Sequence, residues 1–237
     1  MVSKFLPDAV NFRTMSIFLL GKDYLFENCC HFIYEMAAFL VRKMVIMESL
    51  KQRIQADGIV LPGNILKVNS FLNHQIDPIL MQEIGMKFKQ IFDDQPINKI
   101  LTIEASGIAP ALMTGLAFQV PVVFARKSKS STLDSENYHA EVISYTKHTT
   151  NQILVDQKFL NDNDHVLIID DFLANGEAVH GLIEICKQAR CTLDGIGIVI
   201  EKAFQPGGQQ LRQEGYPLYS LVRIKSLADD KVTFMEE

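Results

Sequence analysis

The stretch Val166-Leu-Ile-Ile-Asp-Asp-Phe-Leu-Ala-Asn-Gly-Glu-Ala178 decides the fold of this chain. Its first four residues are branched and apolar, which predicts a strand over 166–169 that is buried in a parallel sheet. Two carboxylates, Asp170 and Asp171, follow at the carboxyl end of that strand. After a turn of small residues, helical spacing runs over 178–187. This order is typical of an open α/β sheet, in which ligands bind outside the carboxyl ends of the strands.

The acidic pair and the turn together predict a site for a phosphorylated sugar. Neighbouring carboxylates can accept hydrogen bonds from two vicinal hydroxyls, as on a ribose. A monophosphate needs several backbone N–H donors, which the start of a helix leaves free. The residues expected to supply them are Ala174, Asn175, Gly176, Glu177 and Ala178, with the Glu177 side chain turned outward. The alternative is that the acids merely end a strand before an ordinary turn, but the whole thirteen-residue pattern favours the phosphate site.

This stretch resembles the signature with which type I phosphoribosyltransferases bind 5-phosphoribosyl 1-pyrophosphate (PRPP). Three further segments, 66–78, Glu104-Ala-Ser-Gly-Ile108 and 197–206, resemble the xanthine phosphoribosyltransferases of bacterial purine salvage. The resemblance extends from Met47 to the C-terminus. It implies transfer of the ribosyl phosphate to xanthine, giving xanthosine 5′-monophosphate (XMP) and pyrophosphate. It also implies a homodimer, and Mg²⁺ that arrives with PRPP and is not held in a separate protein metal site.

The resemblance assigns the base to residues that their own sequence context leaves open. Leu66 and Asn73 match positions that the family uses against xanthine, although Asn73 and His74 by themselves are more typical of residues that brace a turn. Lys202 follows the apolar strand at 195–200 and matches a lysine that contacts the base. A cationic donor suits xanthine because this base carries more carbonyl acceptors than adenine. Phe204 could stack on the base or simply pack.

The pyrophosphate is expected at a second strand-to-helix turn. The segment 99–103 predicts a buried strand, and the small residues after it let backbone N–H groups approach an anion closely. The residues concerned are Glu104, Ala105, Ser106 and Gly107. Lys127, after the strand predicted at 121–125, is the strongest candidate to neutralise charge on the leaving pyrophosphate, and solvated surface charge is the competing interpretation. The polar segment 128–152 is long for a loop and predicts a lid.

Composition narrows the class of protein. The chain has 237 residues, 48% of them hydrophobic, and a formal net charge of −5, which argues against a nucleic-acid or membrane surface. Four cysteines without zinc spacing predict reduced thiols in a cytoplasmic protein. We expect a phosphoribosyltransferase domain over 47–237, preceded by an extension over 1–46. That extension has three interpretations: translation from upstream of a true start at Met47, which the amphipathic helix beginning there favours, a helical appendage, or a membrane-surface helix.

The predicted fold is an open, mostly parallel twisted sheet flanked by helices on both faces, with a small hood over the base from residues 47–76, which the C-terminal strands could join. The segments 219–224 and 232–234 are expected to be edge strands. Two other functions stay open. One is a phosphoribosyltransferase for adenine, guanine or hypoxanthine; the other is a PRPP-sensing regulator without catalysis, which would require a DNA-binding appendage that residues 1–46 are not basic enough to form.

Overall fold

A computed structural model describes residues 47–128, 136–144, 149–228 and 230–236. The predicted extension over 1–46 lies outside this range. The helices are α1 (Glu48–Asp57), α2 (Pro78–Ile91), α3 (Ile108–Phe118), α4 (Glu177–Ala189) and α5 (Gly207–Gln213), with a π-helical turn at Asn69–Asn73 and a 3₁₀ turn at Gln157–Phe159. The strands are β1 (Ile59–Leu61), β2 (Ile65–Lys67), β3 (Lys99–Ile103), β4 (Val122–Ser128), β5 (Asn137–Ser144), β6 (Thr149–Asp156), β7 (His165–Leu173), β8 (Thr192–Lys202), β9 (Leu218–Ala228) and β10 (Lys231–Phe234).

Eight strands of the described residues form one sheet in the order β10-β9-β8-β7-β3-β4-β6-β5. The five central strands, from β9 to β4, are parallel, whereas β10, β6 and β5 pair in antiparallel fashion. The predicted open, mostly parallel sheet is therefore confirmed. The central strands β7 and β8 carry continuous apolar sequence, since their residues pack on both faces of the sheet.

The alternating side chains of β7 divide the core into two layers. Leu167 and Ile169 pack in one hydrophobic cluster together with residues of α2, such as Phe88. Val166 and Ile168 pack on the opposite face, in a second cluster that includes Leu182 of α4. Successive residues of a strand point to opposite faces, so a run of four apolar residues supplies both layers at once.

Strand β7 is longer than its apolar run. It continues through the acidic pair to Leu173, whereas the sequence predicted that it would end at Ile169. The reason is pairing with β8, which also extends beyond its apolar residues, so that Asp170 lies opposite Ile198 and Leu173 opposite Glu201. The two carboxylates are thus held by a sheet and not by a flexible loop.

The segment predicted as a lid is largely β-structure. Strands β5 and β6 pair with each other over their whole length, and β6 joins the sheet beside β4, where Lys127 lies opposite Ile153. Apolar residues of this hairpin, Ala140 and Ile153, are buried and pack close to Gly181 of α4. The prediction of one long loop was therefore wrong for these strands, and residues 129–135 and 145–148 lie outside the described range.

Two further differences concern the ends of the domain. The segment 219–224 is not an edge strand, because β9 lies between β8 and β10; the strand at this edge of the sheet is β10. In the predicted hood, β1 and β2 form a separate antiparallel pair, and α1 is joined to β9 by a hydrogen bond from the Met47 N–H to the Leu221 carbonyl, 2.9 Å long.

Candidate active site

A cavity of about 670 Å³ opens at the carboxyl ends of the central strands. This is the edge at which an open α/β sheet binds ligands. The predicted residues that line it are Glu104, Ser106, Lys127, Asp170, Asp171, Ala174, Asn175, Gly176, Glu177, Ala178 and Lys202. These residues come from the ends of four strands, β3, β4, β7 and β8, which are far apart in the sequence. The fold therefore brings them together at one site.

The acidic pair forms the floor of the cavity. Asp170 and Asp171 are 3% and 7% exposed, and the Asp171 N–H donates to Oδ1 of Asp170 over 2.9 Å. Burial raises the pKa of Asp170 well above its ordinary value, and the negative charge of Asp171 raises it further, against a smaller opposing effect of Lys127. Hydroxyl donors or a cation placed between these two buried carboxylates and the solvent would stabilise their charged form.

The phosphate loop, which we define as residues 174–178, connects β7 to α4. Gly176 caps α4 with a φ of +93°, a left-handed conformation that glycine adopts without a steric penalty. The first N–H groups of α4 have no partner within the helix, so they and the helix dipole are available to an anion. Glu177 is half-buried and lines the cavity.

The turn after β3 approaches the same cavity from the neighbouring strand. Oε1 of Glu104 accepts a hydrogen bond from the Lys127 N–H over 2.6 Å, which ties this turn to β4. The Glu104–Ala105 peptide bond is cis. Gly107 is buried, and a Cβ there would lie 2.8 Å from Oδ1 of Asp170, so only glycine fits between this turn and the acidic pair. Unlike Glu104 and Ser106, neither Ala105 nor Gly107 lines the cavity.

Lys202 closes the other end of the cavity. Its Nζ donates to the Asn64 carbonyl over 2.9 Å and lies 5.8 Å from the centre of the Phe172 ring. Burial lowers the pKa of Lys202. The hydrogen bond to Asn64 places the β1–β2 turn over this end of the site, which is where the sequence predicted a hood.

The structure does not bring Leu66 and Asn73 to the cavity. Leu66 is 6% exposed and belongs to the hydrophobic core, because the alternation of β2 turns its side chain inward. Its neighbour Ile65 lines the cavity in its place. Asn73 is exposed at the end of the π-helical turn, and the buried residues of that turn are Phe71 and Leu72.

Sequence reasoning missed Gln205 as a residue of the site. Gln205 lines the cavity, and its Oε1 is buried without a hydrogen-bond partner among the described residues. A buried amide oxygen without a partner costs free energy, which a bound ligand can recover. The available signal was its position three residues after Lys202, in the turn that follows the same strand.

Within the described ranges, no group of three or more histidines, cysteines and acids converges as metal ligands. In the same part of the chain, no helix has the length and apolar character needed to span a membrane. The acidic pair and the phosphate loop, which line one cavity at the strand ends, are suited to binding a phosphorylated sugar.

Comparison with known proteins gives the same answer independently. A sequence model of the phosphoribosyl transferase domain matches residues 73–210. The xanthine phosphoribosyltransferase of Finegoldia magna is 54% identical over 188 residues, which are 79% of this chain and 99% of that protein. The protein of the same name from Latilactobacillus sakei is 56% identical over 191 residues, covering 81% and 98%.

Solved structures of adenine phosphoribosyltransferases share the fold. The enzyme of Trypanosoma brucei superposes with a TM-score of 0.64 at 19% identity, over 79% of this chain and 85% of that chain. The enzyme of Rhodothermus marinus gives a TM-score of 0.60 at 20% identity, over 75% and 97%. Identity this low supports the architecture alone, whereas the family model and the relatives above 50% identity decide membership: this chain belongs to the phosphoribosyltransferase family.

Proposed function

We propose that this protein transfers the 5-phosphoribosyl group of PRPP to xanthine, giving XMP and pyrophosphate, in purine salvage. The observation that carries the proposal is one cavity that combines a buried acidic pair with a phosphate loop at the end of β7. Identity of 54–56% to proteins named xanthine phosphoribosyltransferase supports the choice of base.

Three groups of residues around the cavity each bind a different part of PRPP. The phosphate loop binds the 5′-phosphate through backbone N–H groups, and Asp170 and Asp171 accept hydrogen bonds from the two ribose hydroxyls. The turn over 104–107 and Lys127 hold the pyrophosphate, because a cation and backbone donors favour the charge that develops on a leaving group. The developing oxocarbenium ion is positive, so the acidic floor beneath the ribose also favours it.

Mg²⁺ would enter the site together with PRPP and lie next to the acidic pair. The adjacent oxygens of Asp170 and Asp171 are of the chemical type that Mg²⁺ prefers, and together with water they would hold the ion against PRPP. When bound, Mg²⁺ withdraws charge from the leaving pyrophosphate. The rest of the rate enhancement comes from holding base and sugar in line and keeping out water.

Xanthine fits the end of the cavity at Lys202. The ammonium group donates to a carbonyl acceptor of the base, and the amide of Gln205 offers one donor and one acceptor. Phe172 lies beside Lys202 and supplies apolar surface. Leu66 and Asn73 remain predictions from the sequence resemblance, since this structure places neither at the cavity.

Adenine phosphoribosyltransferase is the second candidate, because enzymes of that name share the fold. The site favours xanthine over adenine: Lys202 is a cationic donor, and adenine has no carbonyl acceptor for it. A PRPP-sensing regulator would use the same phosphate loop without a base.

We further propose that the protein is a homodimer working in the cytoplasm, where PRPP and Mg²⁺ are available to it. Support for the dimer comes from exposed apolar side chains on α2, α3 and β4. We call these residues the apolar patch: Ile79, Met86, Leu112, Leu116 and Phe124. Ile79 and Met86 are two helical turns apart on α2, and Leu112 and Leu116 one turn apart on α3, so each pair lies on one face of its helix. Several large apolar side chains exposed on neighbouring elements are typical of interfaces between proteins.

The decisive experiment is pyrophosphate release from PRPP and Mg²⁺ with xanthine, guanine, hypoxanthine or adenine as the base. We expect xanthine to give the highest kcat/KM. A preference for adenine would move the protein to the second candidate, and PRPP binding without turnover of any base would indicate a regulator. The double variant Asp170→Asn/Asp171→Asn serves as the negative control, since near-normal turnover by it would refute the ribose assignment.

A further inference from the structure

His180, in the first turn of α4, has a hydrogen-bond acceptor at each of its ring nitrogens. Nδ1 lies 3.0 Å from the carbonyl oxygen of Gly176. Nε2 lies 3.1 Å and 3.3 Å from the two carboxylate oxygens of Glu214. Gly176 belongs to the phosphate loop, whereas Glu214 directly follows α5. The imidazole therefore joins the phosphate loop to the end of a different helix.

The two contacts of His180 require both ring nitrogens to carry hydrogen. Carbonyl and carboxylate oxygens only accept hydrogen bonds, so both contacts are made by the imidazolium form. The neutral ring with its hydrogen on Nδ1 keeps the Gly176 contact and loses the one to Glu214. The side chains of His180 and Glu214 are 35% and 42% exposed, so this pair is not part of the hydrophobic core.

The Gly176 carbonyl controls the direction of a donor in the phosphate loop. It accepts hydrogen bonds from both the backbone N–H of His180, at 2.9 Å, and the His180 ring. In a trans peptide the carbonyl and the N–H point in opposite directions, so holding this carbonyl fixes the Glu177 N–H at the open end of the helix. Rotation of that peptide would replace a donor by an oxygen that repels phosphate, and Gly176 has no Cβ to hinder the rotation.

The start of helix α5 also contacts the phosphate loop directly. The Gly207 N–H donates to the Ala174 carbonyl over 3.1 Å. A Cβ on Gly207 would lie 2.6 Å from backbone atoms of Ala174, Asn175 and Gly176. The loop is thus held from behind at two points, by Gly207 at the start of α5 and through His180 by Glu214 at its end.

We propose that His180 and Glu214 are positioning residues for the 5′-phosphate end of PRPP. They hold the Gly176 carbonyl, and with it the Glu177 N–H, in the orientation that binds the phosphate. This inference rests on the proposed function, because that function assigns the loop to PRPP. It concerns one substrate only, since neither residue lines the cavity or approaches Lys202 at the base end.

Steady-state kinetics with PRPP and xanthine varied separately test the proposal. His180→Ala removes both hydrogen bonds, and we expect the KM for PRPP to rise by about tenfold, as for loss of a charge-assisted hydrogen bond, while the KM for xanthine changes by less than about twofold. His180→Asn keeps a donor near the position of Nδ1 and should recover most of the PRPP KM. Glu214→Ala removes only the contact at Nε2, so its KM for PRPP should lie between those of His180→Ala and the unmodified protein.

The matched control is His165→Ala. His165 Nδ1 also faces a carboxylate, Oδ2 of Asp194 at 2.9 Å, but it lies at the start of β7, at the opposite end of that strand from the phosphate loop. We expect this variant to leave both KM values unchanged. An unchanged PRPP KM in His180→Ala would overturn the proposal, as would an equal rise of both KM values in His180→Ala that His180→Asn does not reverse.

Calorimetric titration with ribose 5-phosphate separates this inference from the proposed function, because it needs no turnover. We expect binding to His180→Ala to be about tenfold weaker than to the unmodified protein. If the unmodified protein binds ribose 5-phosphate but turns over no base, the proposed function fails while the role of His180 is still measured. Equal affinity of both proteins for ribose 5-phosphate would refute that role.

Discussion

At the scale of single residues, Asp170 shows a conflict between stability and function. Its carboxylate is buried beside Asp171, and its pKa is raised by burial and by that neighbour. The charge therefore destabilises the fold. The free-energy cost grows as the pH rises from the ordinary carboxyl pKa, about 3.8, up to the raised pKa of Asp170. A charged group in so unfavourable a place is typical of a functional site.

We expect Asp170→Asn to raise the melting temperature while lowering kcat about 100-fold, the size seen when one group that stabilises a transition state is removed. Relief of about 1 kcal/mol corresponds to about 2–4 °C in a chain of this length. The gain should be larger at pH 8 than at pH 5, because the unfolded chain ionises this carboxyl more readily than the native protein does, and the resulting loss of stability grows with pH up to the raised pKa. Differential scanning calorimetry at both pH values and pyrophosphate release check this. Exposed Asp94→Asn is the control, and a lower melting temperature at pH 8 would contradict the prediction.

The sequence predicted the residues that follow a strand better than the residues whose direction depends on packing. Asp170, Asp171, Lys127 and Lys202 all line the cavity, because the carboxyl ends of parallel strands meet at one edge. Leu66 lies in a three-residue strand, and a strand so short does not reveal which of its alternate residues faces the core. For Gln205 the sequence shows only its position three residues after Lys202, whereas its buried oxygen without a partner is visible only in the coordinates.

At the scale of elements, α5 supports the phosphate loop, and Gly207 is the position where the two meet. Gly207→Ala places a methyl group 2.6 Å from the loop backbone, so either the loop or the helix must move. We expect destabilisation of about 1–3 kcal/mol, as for overpacking, and a higher KM for PRPP. The substitution itself favours a helix, so the effect would be steric and not a matter of helix propensity.

Thermal unfolding and PRPP kinetics of Gly207→Ala measure this effect. Gln210→Ala, at an exposed position of the same helix, is the control and should change neither quantity. A Gly207→Ala protein that is as stable as the unmodified chain and has the same PRPP KM would show that the loop is not held by α5.

Elements whose apolar residues recur with one regular spacing were predicted well from the sequence. Strands whose pairing strand is distant in the sequence were not. The helix α4, predicted over 178–187, spans Glu177–Ala189, because its apolar residues recur at helical spacing. By contrast, β5 and β6 are polar on one face, and without knowledge of their pairing they resembled a loop. The length of β7 likewise depends on β8, which is distant in sequence.

At the scale of the whole molecule, the parallel sheet followed from the sequence, whereas the proposed dimer depends on which side chains the folded domain leaves exposed. The apolar patch belongs to α2, α3 and β4, on the outside of the domain. Leu116 and Ile79 are 66% and 65% exposed, which is unfavourable for large apolar side chains in water. A stable dimer buries about 800 Å² of each partner around an apolar centre, and the patch can supply that centre.

We expect Leu116→Glu to convert the dimer to a monomer at micromolar concentration, because a charge at the centre of an apolar interface would be buried without a partner. Sedimentation velocity should then show one species with the mass of a single chain, against twice that mass for the unmodified protein. Phe159→Glu is the matched control: Phe159 is 51% exposed but lies outside the patch, so this variant should stay dimeric. If Leu116→Glu remains a dimer, the interface lies elsewhere on the surface; if the unmodified protein is itself a monomer, the apolar patch does not bind a second copy.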